Sequence, residues 1–306
     1  MREATAFFMD RKKMHGRYNM EYIKYYEEIV KRRHSCRNFT EKKVEDSALD
    51  EVKSYYEKCE SLVPSIETEL VFFDRFVGER LGASVGYNGF IIKAPEYFAV
   101  FSEPEEHYLE NAGFIAQGIT LKLTQLNIAA CWLTVNDAEF AKKALGINTD
   151  KKLAAVVAFG YRNKEGDDLR LDIVSPSNVK MVKVGEKAAP KMSLNDLLYH
   201  KRYGKPLEET LFSELEDALR AISTSQSFFN RQPYRVIVDD DMISLIGLPD
   251  DMTSESDACL NYGIVMFNFY SVMDSVRTNA AKWSFEPAGR DLDLPDGCTY
   301  IAKCRI

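Results

Sequence analysis

An order of elements that occurs twice is what most constrains the fold of this chain. In the first half, Leu49, Val52, Tyr56 and Cys59 fall on one face of a short helix, and aromatic and β-branched runs at 70–77 and 97–102 read as strands. Ala112, Ala116, Ile119, Leu123 and Leu126 then mark a long helix whose small residues let it pack closely. Apolar runs of buried-strand length follow at 129–133 and 153–159. The second half reads as a helix at 214–222, a strand at 234–238, a long helix at 260–276 and a strand at 299–303. Gln117-Gly118-Ile119 and Tyr262-Gly263-Ile264 align the two long helices. A repeat on this scale points to two copies of one module about a pseudo-two-fold axis. Helix–strand alternation in any α/β chain gives a similar order, so order alone does not decide.

The length of 306 residues fits two units or one large one. Residues 1–19 are polar and basic without a clean period and read as an extension ahead of the fold. A helical pattern opens at Met20, with Tyr22, Tyr26, Ile29 and Arg33 recurring on one face. Residues 162–189 are polar and charged, without a strong period, and read as a linker. The expected organisation is therefore an extension at 1–19, a first module with its linker at 20–195, and a shorter module at 196–306. Gly78, Gly82, Gly86 and Gly89 suggest a mobile loop ahead of Lys93-Ala94-Pro95.

Charge narrows the partners. Forty Lys and Arg face 47 Asp and Glu, a formal net charge of −7. Such a chain has no general electrostatic reason to hold nucleic acid or an anionic membrane. Any anion it binds must meet a local cluster of cations. No apolar run is long enough to span a bilayer and no signal peptide is visible, so the cytoplasm is expected. The six cysteines form no C-x-x-C pair and read as reduced thiols. His15, His107 and His200 are isolated, and no metal site is expected. Neither a dinucleotide fingerprint nor a P-loop occurs.

Two short motifs carry chemistry. Arg32-Arg33-His34-Ser35-Cys36-Arg37 packs planar donor forks, a ring donor and a hydroxyl together, suited to a phosphate or carboxylate. A solvated basic turn at a helix C-terminus reads equally well from these residues. Ser227-Phe228-Phe229-Asn230-Arg231-Gln232-Pro233-Tyr234 joins a helix to a strand. Its Asn230 and Gln232 carry two-way amides that can read the edge of a heterocycle, though an ordinary turn with a proline at the strand start fits as well.

Taken together, the two motifs resemble the two signatures of the nitroreductase family of FMN-dependent oxidoreductases. Lys93-Ala94-Pro95, Glu110-Asn111-Ala112-Gly113, Cys131-Trp132-Leu133 and Ala158-Phe159-Gly160-Tyr161 are similar to landmarks that lie between them. The resemblance runs from about Met20 to the C-terminus. In ordinary family members the second signature follows the first within one short module. Here that position, Pro64-Ser65-Ile66-Glu67-Thr68-Glu69-Leu70, lacks the Asn, Gln and Pro. The intact copy lies in the second half, which has only Lys201-Arg202-Tyr203-Gly204-Lys205-Pro206 in place of the first signature. Each half thus keeps what the other lost, as in the branch of the family with two fused modules and one flavin site.

The resemblance implies an α+β nitroreductase-like fold forming an intramolecular pseudo-dimer, alone or as part of a larger homo-oligomer. It implies NAD(P)H-dependent reduction of a nitroaromatic, quinone or related small-molecule acceptor by ping-pong hydride transfer through flavin N5. Arg33 would anchor the FMN phosphate, helped by His34 and Ser35. Arg37 would lie by the ring edge that gains negative charge on reduction, tuning a cofactor that does the bond-making itself. Ser227, Asn230 and Gln232 would reach the ribityl chain and ring edge from the other module, and Lys191 would add a second cation at the phosphate. No proton-transfer residue is required. Phe228 and Phe229 in place of small residues, and Tyr234 in place of Trp, keep open a flavin-storing or flavin-sensing protein without turnover. A flavin reductase or dehydrogenase for one metabolite also remains open, because a family does not specify a substrate.

Overall fold

The computed structural model describes residues 25–87, 91–165, 168–175, 178–184, 190–208, 211–276 and 281–306. The expected extension at 1–19 and the first turn of the expected opening helix lie outside them. What is described of that helix is a single π-helical turn, Tyr26–Val30.

Two sheets organise the chain, the first antiparallel throughout and the second antiparallel except where Leu198–His200 pairs in parallel with Tyr234–Val238. In the first half, β1 (Thr68–Asp74), β2 (Glu96–Ser102), β3 (Ala129–Leu133) and β4 (Lys152–Gly160) pair in the order β1-β2-β4-β3. The expected strand at 70–77 stops at Asp74, whose carboxylate accepts from the Val77 amide and starts a short helix, Arg75–Gly78. Residues 162–189 are not a plain linker. They contain a hairpin of β5 (Asp168–Ser175) and β6 (Asn178–Val184). In the second half, β7 (Leu198–His200), β8 (Tyr234–Val238), β9 (Met242–Gly247), β10 (Lys282–Ser284) and β11 (Thr299–Arg305) pair in the order β10-β11-β9-β8-β7. From β8 outward this reads β8-β9-β11-β10, the order of the first sheet. Sequence periodicity missed β7, β9 and β10.

Five longer helices complete the fold: α1 (Asp46–Tyr56), α2 (Tyr108–Gln125), α3 (Ala138–Leu145), α4 (Ser213–Ser223) and α5 (Glu255–Val276). α1 ends before Cys59, one of the residues expected on its face. α2 and α5 are buried around most of their circumference, as central helices must be. They cross at a point where no side chain fits. A Cβ on Gly113 would lie 2.5 Å from the Leu260 carbonyl oxygen, and one on Gly263 would lie 2.1 Å from the Glu110 carbonyl oxygen. The contact is reciprocal, so Gly113, not Gly118, is the counterpart of Gly263. The expected alignment is corrected by five residues within α2. Gly118 instead meets the Phe267 ring and the Tyr55 hydroxyl.

The cores interlock across this crossing. Leu260 of α5 packs into the apolar cluster of the first sheet, while Phe114 and Leu121 of α2 pack into that of the second. Tyr26 and Val30 also belong to the second cluster, although they come from the beginning of the chain. The residues that follow return to the first half, where Ser35 pairs with Ala130 and Phe39 with Arg162. The glycine-rich stretch is not the loose loop expected. Arg75–Gly78 and Glu79–Ser84 are helical turns, and Leu81 and Val85 are fully buried. Gly89 lies outside the described residues.

Candidate functional site

The first motif is held by backbone pairing at the edge of the first sheet. Ser35 bridges Ala130 of β3, and the Cys36 amide donates to the Ala130 carbonyl at 3.0 Å. Farther on, the Thr40 amide donates to Tyr161 O at 2.8 Å and the Asn163 amide to Asn38 O at 3.0 Å. Cys36 is buried. Ser35 bonds to the Cys131 thiol, beside which the Arg33 and Arg37 guanidinium groups also lie. Burial raises the Cys131 pKa, and the two arginines oppose the rise. His34 is exposed and both its ring nitrogens are taken. Nδ1–H donates to Arg32 O at 2.9 Å, and Nε2 accepts from Arg162 Nη1 at 2.8 Å, which places the single proton of a neutral ring on Nδ1.

The second motif is a strained loop. Phe229, Asn230 and Gln232 have φ of 49°, 59° and 51°, a left-handed run without glycine. Such residues cost about 1–3 kcal/mol each and persist only where their surroundings fix them. Here they are fixed from three sides. The Gln232 amide N–H donates to Ser227 Oγ at 2.9 Å, and the Phe228 N–H donates to Asn261 Oδ1 of α5 at 3.2 Å. Lys191 Nζ donates to Ser225 O at 2.8 Å and to Asn230 Oδ1, and Asn230 Nδ2 returns a bond to Pro190 O at 2.7 Å. Gln232 is buried, its Nε2 donating to Ser223 O at 2.6 Å and its Oε1 accepting from the Met192 amide at 3.0 Å. Both its amide ends are therefore spent inside the protein. Ser227 and Gln232 shape this loop, while Asn230 joins it to Lys191.

The two motifs meet through their cations. Burial lowers the Arg33 pKa to about 10, with Arg37 adding repulsion, and lowers that of Lys191 to about 7, with Arg33 adding repulsion. Arg33 Nη1 is buried with no hydrogen-bond partner. Among the described residues, neither Arg33 nor Lys191 forms an ion pair with a carboxylate. Two half-buried, mutually repelling cations are an unfavourable arrangement until an anion joins them. The chain thus brings Arg33, Ser35, Arg37, Asn230 and Lys191 into one neighbourhood, with Ser227 and Gln232 behind it. His34 faces Arg162 instead.

Several residues of this neighbourhood escaped the sequence reading. Tyr87 packs edge-to-face on Phe229, with ring centres 4.4 Å apart, and lies 6.1 Å from Phe228. It is placed by pairing beyond β3, where Val85 bridges Val135 and the Gly86 amide donates to Thr134 O at 2.8 Å. Thr134 in turn bonds to buried Asp257 at the start of α5, whose amide donates to Ser254 Oγ at 3.1 Å and whose carboxylate accepts from the same hydroxyl at 2.8 Å. Asn261 and its counterpart Asn111 were missed as loop supports. Their signal was available, because Asn111-Ala112-Gly113 and Asn261-Tyr262-Gly263 repeat the same spacing. His107, expected to be isolated, stacks flat on Phe285 at 3.6 Å. All six cysteines are free thiols. No group of three potential metal ligands occurs among the described residues, and no helix among them is long and apolar enough to cross a membrane.

The family model described as "Putative TM nitroreductase" matches residues 25–272. The chain belongs to this nitroreductase family. Its α+β architecture is the nitroreductase fold. A crystal structure of a putative nitroreductase from Thermotoga maritima matches over 92% of this chain and 93% of its own, with 15% identity and a TM-score of 0.53. An FMN-dependent nitroreductase from Clostridium difficile covers 45% of this chain and 88% of its own, with 18% identity and a TM-score of 0.39. Comparison with curated proteins returned no match.

Proposed function

We propose that this nitroreductase-family chain is an FMN-dependent oxidoreductase that uses NAD(P)H to reduce nitroaromatic, quinone or related acceptors. The observation that carries the reading is the pair Arg33 and Lys191, two half-buried cations with an orphaned guanidinium nitrogen and, among the described residues, no carboxylate paired with either. The terminal phosphate of FMN supplies the missing anion, and these residues fit it. Arg33 and Lys191 hold the phosphate, and Ser35 supports that end of the segment through Cys131. Arg37 sets a positive charge toward the ring, and Asn230 contacts the cofactor from the second half. Ser227 and Gln232 keep the loop in its strained form.

Bound FMN supplies a two-electron relay between a nicotinamide donor and an acceptor. The overall balance is one hydride from NAD(P)H and one proton from water, both delivered to a quinone to give the hydroquinone. The protein itself needs to bind, orient and exclude rather than transfer protons. The two halves act as a fused pseudo-dimer with one cofactor, which the repeated strand order and the reciprocal helix crossing support.

The test is direct. The purified protein should be yellow, or should take up added FMN one-to-one, and should then oxidise NADH or NADPH in the presence of a quinone. A protein that takes up no flavin sinks the proposal. One that binds FMN but never turns over is the storage or sensing protein instead.

A further inference from the structure

Four buried polar side chains stand between the central helices and the start of the loop at 225–232. Gln117 Nε2 of α2 donates to Asn268 Oδ1 of α5 at 2.7 Å, and Asn268 Nδ2 donates to Ser225 Oγ at 2.7 Å. Gln226 Nε2 donates to Gln117 Oε1. Gln117 and Ser225 are fully buried, and Asn268 and Gln226 nearly so. The helices thus hold two consecutive loop residues, Ser225 through Asn268 and Gln226 through Gln117. Ser225 is also the residue whose carbonyl accepts from Lys191 Nζ at 2.8 Å. The fold itself does not demand this cluster. Gln117 stands four residues after Gly113, as Phe267 does after Gly263, and Asn268 stands five after Gly263, as Gly118 does after Gly113. At that equivalent place the Phe267 ring lies on Gly118, 2.9 Å from where its Cβ would be. The half with the plain loop has glycine and phenylalanine where the other has two amides. Buried amides bring no stability over apolar side chains that pack as well, and here Gln226 Oε1 is left unpaired.

We propose that Gln117 and Asn268 are positioning residues for the cofactor site, clamping Ser225 and Gln226 so that the Ser225 carbonyl fixes the Lys191 ammonium. This rests on the reading of Arg33 and Lys191 as the phosphate site and extends it to two residues buried between the central helices. A lysine ammonium sits on a flexible four-carbon stem and has no direction of its own, so an acceptor held in place must supply one. Each half contributes one amide to the clamp, which ties the place of Lys191 to the docking of the two helices. Because the clamp acts through Lys191, its effect on FMN disappears once the lysine's charge is gone.

The experiment titrates the flavin-free protein with FMN in two backgrounds, wild type and Lys191→Met. Gln117→Met and Asn268→Leu should each weaken FMN about tenfold in the wild type and less than about twofold in Lys191→Met, the non-additivity of residues that act as a unit. Equal factors in both backgrounds, or no weakening in the wild type, overturn the clamp and leave the phosphate site standing. Phe267→Leu, at the equivalent place, should lower the urea midpoint but change FMN affinity less than about twofold. An equal loss of FMN affinity in Phe267→Leu means that loosening the helices is enough, and overturns the clamp as well. If Asn268→Leu does not fold, Ser225→Ala breaks the same bond from the loop by removing one hydroxyl. It should weaken FMN about threefold in the wild type and leave Lys191→Met unchanged. Failure of the wild-type protein to take up FMN overturns the phosphate reading itself, and the clamp with it.

Discussion

The loops at 62–67 and 225–232 occupy corresponding places and are supported in the same way, yet only one is built as a site. Asn111 accepts from the Val63 amide at 2.9 Å, and Asn261 accepts from the Phe228 amide at 3.2 Å. Both asparagines stand two residues before the crossing glycine of their helix, and both have a buried Nδ2 without a partner. Beyond that shared support the loops part. The second has three left-handed residues, a saturated glutamine and a lysine drawn in from residue 191. The first has none of the left-handed residues, buries Ile66 and runs straight into β1. The scaffold that positions a loop is thus separable from the polar groups that make the loop useful.

The largest test strikes what the halves share. Gly263→Ala would drive a Cβ into the Glu110 backbone, which cannot rotate away as a side chain could. After the gain in helix propensity, a net loss of about 3 kcal/mol is expected in urea unfolding. Gly113→Ala should cost a similar amount, and a tolerated substitution at either glycine would break the reciprocity. The next test separates the halves. Arg33→Ala should weaken FMN about fiftyfold by titration, the scale of a lost charge-assisted bond to phosphate. Arg202→Ala, in the second half's counterpart of the first signature, should change it less than twofold, because Arg202 is exposed and pairs with Asp293.

Lys191 adds a pH signature. With its pKa lowered to about 7 in the flavin-free protein, phosphate binding must draw it back to the charged form. FMN affinity should therefore fall as pH rises above 7, by up to about tenfold per unit, until the pKa of the bound state is passed. Lys191→Met should flatten that dependence. In the flavin-free protein the unfolded chain binds more protons at this residue between pH 7 and its ordinary value. The lysine's contribution to stability therefore rises with pH across that window. The smallest effect compares the two supports. Asn111→Ala and Asn261→Ala should each cost about 1.5 kcal/mol by leaving a backbone N–H unpaired. Only Asn261→Ala should also weaken FMN, about threefold, and equal weakening in both would erase the distinction between the loops.

Much of the fold was legible along the chain. Strands at 129–133 and 234–238 match their expected ends, because short apolar runs bounded by polar residues leave little choice. β9 was missed although its sequence Met-Ile-Ser-Leu-Ile-Gly is apolar, since a short run of that kind is ambiguous until it finds neighbours in β8 and β11. The hairpin of β5 and β6 was hidden because charges interrupt both of its strands, at Asp168, Arg170 and Asp172 and at Lys180 and Lys183. The helix alignment failed by choosing Gly118, since local similarity cannot tell a glycine that admits a backbone from one that admits a ring.

The residue types at 33–37 and 227–234 were determined by the sequence itself, because guanidinium forks, amides and hydroxyls carry their chemistry wherever they stand. The same is true of the acidic balance, which confines anion binding to a local cluster. Only the tertiary structure decided which of them meet. Lys191 bonds to Asn230 and feels the charge of Arg33, His34 turns to Arg162, Gln232 accepts from the Met192 amide, and Tyr87 packs on Phe229. Each of these contacts joins residues far apart in the chain. They depend on how distant segments pack against one another, which local periodicity does not encode.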